Sequence, residues 1–78
     1  MHLTAPRRRC LELLAQAEGG SCPEPALRVG FGIDEPVTAA LIEDGLVAAN
    51  RVRQRVGNRV LEILRLQITA AGRKALGR

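Results

Sequence analysis

Aromatic residues are nearly missing from this chain: Phe31 stands alone, with no Trp and no Tyr. Modules that stack single-stranded bases on exposed rings need several such rings, so this composition argues against them. Histidine and serine are as scarce. His2 and Ser21 are the only ones, so no Ser–His–Asp grouping or other catalytic constellation is available, and the chain is expected not to be an enzyme. Two cysteines, Cys10 and Cys22, without an export signal give no reason to expect a disulfide. With His2 they also lack the four-ligand spacing of a structural zinc site, and no metal or other cofactor is expected. No apolar run approaches the length of a membrane span and no signal-peptide pattern opens the chain, which points to a cytoplasmic protein without membrane contact. Gly30-Phe31-Gly32 is not a phosphate loop, because no strand precedes it.

What is present suits one small folded domain spanning residues 1–78. Hydrophobic residues make up 46% of the 78, well above a disordered composition, and no repeat or linker interrupts them. The charge is uneven. Residues 1–50 hold four arginines and seven acids, a net −3, whereas residues 51–78 hold eight basic residues and one acid, a net +7. A localised basic stripe suggests a polyanionic partner, usually nucleic acid. The alternative is a solvated strand face that charge protects from edge pairing.

The stripe lies in Leu46–Thr69, LVAANRVRQRVGNRVLEILRLQIT. Arg51, Arg53 and Arg55 recur every second residue, the periodicity of a strand. Gly57-Asn58 between two such runs signals a two-residue hairpin turn. Pairing Val56 with Arg59 sets a register in which Arg53 faces Glu62, Val52 faces Ile63, Ala49 faces Leu66 and Val47 faces Ile68. One opposite-charge pair and three apolar pairs then line up. Strands are expected near 47–55 and 60–68.

Before the hairpin, Pro6–Glu18 reads as a first helix, capped by Thr4 or Ala5, with Cys10, Leu13, Leu14 and Ala17 on its inner face and Gly19-Gly20 as its stop. Arg7, Arg8 and Arg9 stand at the positive end of that helix's dipole, against the usual preference, which suggests phosphate contact or else a solvated charge run. A second short helix is expected from Pro23 to Val29 behind a Cys22 cap, with Ala26, Leu27 and Val29 turned inward and Phe31 as a core plug. Asp34 caps a third helix whose buried stripe is Val37, Ala40 and Leu41. Gly45 stops it in the left-handed conformation, and Leu46 makes the hydrophobic contact that follows. Thr69 caps a last short helix from Ala70 to about Leu76, which Gly72 weakens.

The segment Leu41-Ile42-Glu43-Asp44-Gly45-Leu46-Val47 resembles the L-x-x-x-G-L-V that ends the recognition helix of bacterial winged-helix regulators of the MarR type. Leu66-Gln67-Ile68-Thr69-Ala70-Ala71-Gly72-Arg73-Lys74-Ala75-Leu76 is similar to the L-x-I-T-x-x-G-R-x-A-L that closes the wing in that family. The likeness covers roughly residues 5–77 and extends to short bacterial proteins that carry no assigned function. It implies an α+β fold, a small winged helix-turn-helix with three helices, a two-stranded hairpin wing and a short C-terminal helix. It also implies a third helix in the major groove and a wing on phosphates or the minor groove of double-stranded DNA. This third helix departs from that pattern: it carries Asp34, Glu35, Glu43 and Asp44 and no Lys or Arg, so only Thr38 and Glu35 are placed to meet bases.

Two functions follow from these residues. One is a DNA-binding winged helix, a small transcription regulator or accessory factor. It would act through Arg51, Arg53, Arg55, Asn58 and Arg59 of the wing, Thr38 of the third helix, and Arg7, Arg8 and Arg9. The other is a protein-interaction module that uses the acidic helix. In addition, Val52, Val56, Leu61 and Ile63 share one hairpin face, and Val47, Leu64, Leu66 and Ile68 the other. Whichever face does not meet the core offers an apolar patch to a second copy or another protein.

Overall fold

A computed structural model describes residues 3–77; Met1, the lone histidine His2 and Arg78 lie outside them. Helix α1 runs Ala5–Gln16, with Thr4 as its cap: the Thr4 hydroxyl accepts from the Arg7 N–H at 3.4 Å. Cys10, Leu11 and Leu14 are its buried residues, with Leu14 one turn on from the adjacent pair, as an amphipathic stripe requires. Leu11 thus takes the place expected of Leu13, which is half-buried.

The next segment corrects the sequence reading. Ser21–Pro23 is not a helix start but a short strand, β1. The helical stretch behind it is wound as a π-turn over Ala26–Gly30. Only Leu27 of that stretch is buried. Val29 is 77% exposed and Phe31 44% exposed, so neither plugs the core; Ile33, at 4%, does. Pro23 is tolerated in β1 because the strand lies at a sheet edge, where a missing N–H leaves no ladder bond unmade.

Helix α2 spans Glu35–Glu43 behind the cap residue Asp34. Its buried residues are Thr38 and Leu41, rather than the expected Val37, Ala40 and Leu41. Its end is a Schellman motif: the Leu46 N–H reaches the Leu41 carbonyl and the Gly45 N–H the Ile42 carbonyl, both at 3.0 Å. Gly45 sits at φ +76°, a backbone conformation that glycine adopts without strain. Leu46, 3% exposed, then enters the core.

Strand β2 (Val47–Val56) and strand β3 (Arg59–Ile68) form the hairpin in the expected register, from Val47 opposite Ile68 to Val56 opposite Arg59. Positive φ falls on Gly57 and not on Asn58, as in a type II′ turn with glycine first. β1 adds to the far side of β3, giving a three-stranded antiparallel sheet in the order β1-β3-β2 instead of a two-stranded hairpin alone. Helix α3 (Ala70–Ala75) closes the chain, its Gly72 N–H donating to the Thr69 hydroxyl at 3.0 Å.

The core is one cluster in which α1 supplies Cys10, Leu11 and Leu14, β3 supplies Leu66 and Ile68, and Leu27, Ile33, Leu41, Leu46, Val47 and Leu76 complete it. It fills only the base of the sheet. Beyond Val47, β2 is exposed along its whole length. The molecule measures 45 × 22 × 21 Å, and the hairpin lies beyond the packed body. No helix among the described residues is long and apolar enough to cross a membrane.

Candidate nucleic-acid interface

The ladder decides which side chains share a face. Arg55 opposes Val60, Arg53 opposes Glu62 and Arg51 opposes Leu64. Because cross-strand partners point the same way, Arg51, Arg53 and Arg55 form a single row with Val60, Glu62 and Leu64 beside it. The same face, followed toward the base, becomes the core side at Val47, Leu66 and Ile68. The arginine row therefore continues the core-facing side of the sheet, where α2 also lies. Leu64 joins the two zones. With Glu35, Ala39 and Ile42 of α2 it lines a surface groove of about 360 Å³, and with Arg51 and Glu62 a second of about 260 Å³.

All three arginines of the row are exposed. The ion pairs among the described residues are Arg8–Glu12 at 3.1 Å and Arg28–Glu24 at 2.9 Å. Among the described residues no carboxylate forms an ion pair with the row, and Glu62 faces Arg53 without closing a bridge. Successive anchors on one strand face lie about 6.6 Å apart, so the row spans about 13 Å. Arg59 and Asn58 sit at the turn, but Arg59 pairs with Val56 and points to the opposite face. The four arginines from Arg51 to Arg59 thus divide into a row of three and one apart.

The other expected contacts fare differently. Thr38 is 5% exposed, and its hydroxyl donates to the Glu35 carbonyl at 2.9 Å. The hydroxyl thus satisfies its own helix, and little of Thr38 is left exposed to meet a base. Arg8 is held by Glu12 on the next turn of α1. Arg9 is exposed and lines a groove against Ile33, Asp34 and Val37 at the start of α2, while Arg7 is half-buried. These three arginines therefore do not extend the hairpin row. Instead Ala39 and Ile42, one turn apart on the exposed side of α2, form an apolar patch beside Glu35. Their i, i+3 spacing opposite Leu41 carried that signal in the sequence.

The outer hairpin face holds Val52, Val56 and Leu61, exposed by 40%, 52% and 43%, with Ile63 half-buried. Near its base the Arg65 guanidinium donates to the Ser21 hydroxyl at 3.3 Å and so ties β3 to β1. Of the two thiols, Cys10 is buried and Cys22 half-buried. Burial first, and the nearby Cys22 second, push the Cys10 thiol up to about 11. No group of three or more His, Cys, Asp or Glu residues that could hold a metal occurs among the described residues.

The two segments that resemble winged-helix regulators meet in space. The Thr69 hydroxyl donates to the Gly45 carbonyl at 2.8 Å and the Thr69 N–H to the Leu46 carbonyl at 3.1 Å. Gly72 lies directly against that Leu46 carbonyl. Their residues hold the exit of α2 to the return of the hairpin. Searches for a matching family model, a matching curated protein and a matching solved structure found none, so the likeness rests on these segments themselves.

Proposed function

We propose that this chain is a winged-helix DNA-binding protein, a small regulator or accessory factor that grips duplex DNA through its hairpin and not through α2. The observation that carries this reading is the row of Arg51, Arg53 and Arg55: three exposed guanidinium groups in line on a projecting ribbon, with no ion-pair partner among the described residues. The element order α1, β1, helical turn, α2, β2, β3, α3 and the sheet order β1-β3-β2 support the winged-helix assignment. α2 contributes little to DNA contact. Its exposed residues include Glu35, Ala39, Ile42 and Glu43, and the acids among them repel phosphates.

Arginine binds phosphate oxygens in forked pairs, and each phosphate neutralised steepens the log–log salt dependence by about 0.9. Replacing Arg51 and Arg55 by Ala should therefore reduce the salt slope of random-duplex binding by about two. Arg59→Ala, on the other face, should reduce it less. Absence of duplex binding by the wild type at low salt, or an unchanged slope in the double variant, would refute the proposal.

A second reading is favoured by one feature. Ile42 is 37% exposed and shares a groove with Ala39, Leu64 and Glu35, a surface suited to a protein partner with an apolar anchor beside a base. Under that reading the arginine variants lose nothing specific, and Ile42→Ser abolishes the partner contact.

A further inference from the structure

Glu62 is the one acid among residues 51–78, and the ladder sets it opposite the middle arginine of the row. For a surface that only holds phosphates this is the worst position for a carboxylate, because it repels the groups that Arg51, Arg53 and Arg55 attract. As a structural cross-strand pair it would add little stability, and the Arg53–Glu62 bridge is not closed among the described residues. Both side chains are exposed and available to an outside ligand.

We infer that Arg53 and Glu62 form a base-reading pair, which recognises a G·C base pair when the hairpin lies in the major groove; this rests on the DNA-binding proposal. Directly opposed residues hold their Cβ atoms about 4.5–5.5 Å apart on one face. The edge of a G·C pair in the major groove presents guanine N7 and O6 as acceptors, next to the cytosine N4 amino donor. The Arg53 fork donates to the first two, and the Glu62 carboxylate accepts from the third. A two-stranded ribbon fits the major groove, about 12 Å wide, and not the minor groove at about 6 Å. The α2 surface that flanks the row offers no Arg, Lys, Asn or Gln that would read a base in its place. Arg51 and Arg55, about 6.6 Å to either side, are left for the phosphates.

The test is equilibrium binding of the purified chain to three alternating duplexes, d(G-C), d(A-T) and d(I-C), at one salt concentration. Inosine keeps the N7 and O6 acceptors of guanine but loses the minor-groove amino group, so d(I-C) separates the two grooves. The wild type should favour both d(G-C) and d(I-C) over d(A-T) by about tenfold. Glu62→Ala, which leaves the cytosine N4 amino group without its acceptor, should cut that preference while binding d(A-T) at least as tightly as the wild type, since it removes a repelling charge. Arg53→Gln, whose amide matches adenine N6 and N7 rather than guanine O6 and N7, should lose the preference. Equal binding to all three duplexes, d(I-C) behaving like d(A-T), or a preference undiminished in Glu62→Ala would overturn the inference and leave hairpin-mediated DNA binding standing. Failure of the wild type to bind any of the three would overturn both.

Discussion

Two residues show how local chemistry sets what the fold tolerates. Gly72 lies inside α3, where glycine normally costs about 0.5–1 kcal/mol relative to alanine. Here a Cβ would run into the Leu46 carbonyl oxygen and approach Ile68 Cγ1 to 2.8 Å. A backbone oxygen already held by the Thr69 N–H cannot step aside cheaply. Gly72→Ala should therefore destabilise the chain by about 1–3 kcal/mol, as overpacking does, despite its better helix propensity. Gly30→Ala is the control, since a Cβ there meets nothing within 4 Å. Urea unfolding compares the two, and a Gly72→Ala variant as stable as the wild type would refute the close-approach account. Cys10 carries the second prediction. Its thiol is raised from 9.0 to about 11 by burial, with Cys22 adding to the effect, so the stability tied to keeping it protonated is complete below 9.0 and is lost as pH climbs through about 11. Near about pH 8 an alkylating reagent should label half-buried Cys22 first and reach Cys10 only as the chain unfolds. Mass spectrometry showing Cys10 labelled as fast as Cys22 in the folded protein would contradict this.

At the scale of elements, what could be read from the sequence depended on whether a local pattern or a distant partner decides the structure. The hairpin was legible down to its register, because alternation and a Gly-Asn turn are local signals and a one-residue slip would move every side chain to the other face. The end of α2 at Gly45 and the Thr69 cap were legible for the same reason. β1 was not. Ser21–Pro23 is three residues long, and its strand character comes from pairing with Gln67, Leu66 and Arg65, more than forty positions away. Taken alone, Ser-Cys-Pro-Glu resembles a helix start. The helical turn behind it misled for another reason: Val29 has i, i+3 spacing from Ala26, but Leu27 is the buried residue there, and a position two further on falls on the other side. As for the candidate interface, the row of Arg51, Arg53 and Arg55 follows from period two alone, and so does the placement of Glu62 within it. The burial of Thr38 does not follow, because it depends on how α2 is rotated against the rest of the core. Gly72 was read as a weak point of α3, when it is the contact that lets α3 approach the exit of α2.

At the scale of the molecule, charge and shape point the same way. Ten residues per strand at about 3.3 Å make the hairpin about 33 Å long, much of the 45 Å long axis. Its strands carry most of the surplus of basic residues, whereas the helical body carries seven of the eight acids. Under the proposed function a polyanion would meet that end and the face that carries the arginine row. The outer face, with Val52, Val56 and Leu61 exposed, raises the question of a second copy. Two strands about 4.8 Å apart over that length offer roughly 330 Å² of flat surface, less than half of the roughly 800 Å² per partner that a stable dimer buries. The edge strand β2 is a poor template for pairing as well, since a row of arginines would meet its own like charge. The chain should therefore sediment as a single 8.4 kDa species at tens of micromolar, and replacing Val52 and Ile63 by Thr should leave that mass unchanged. A wild-type dimer that the two threonines dissolve without unfolding would show that the outer face associates more strongly than its area allows, and each DNA contact would then have to be counted per pair of chains.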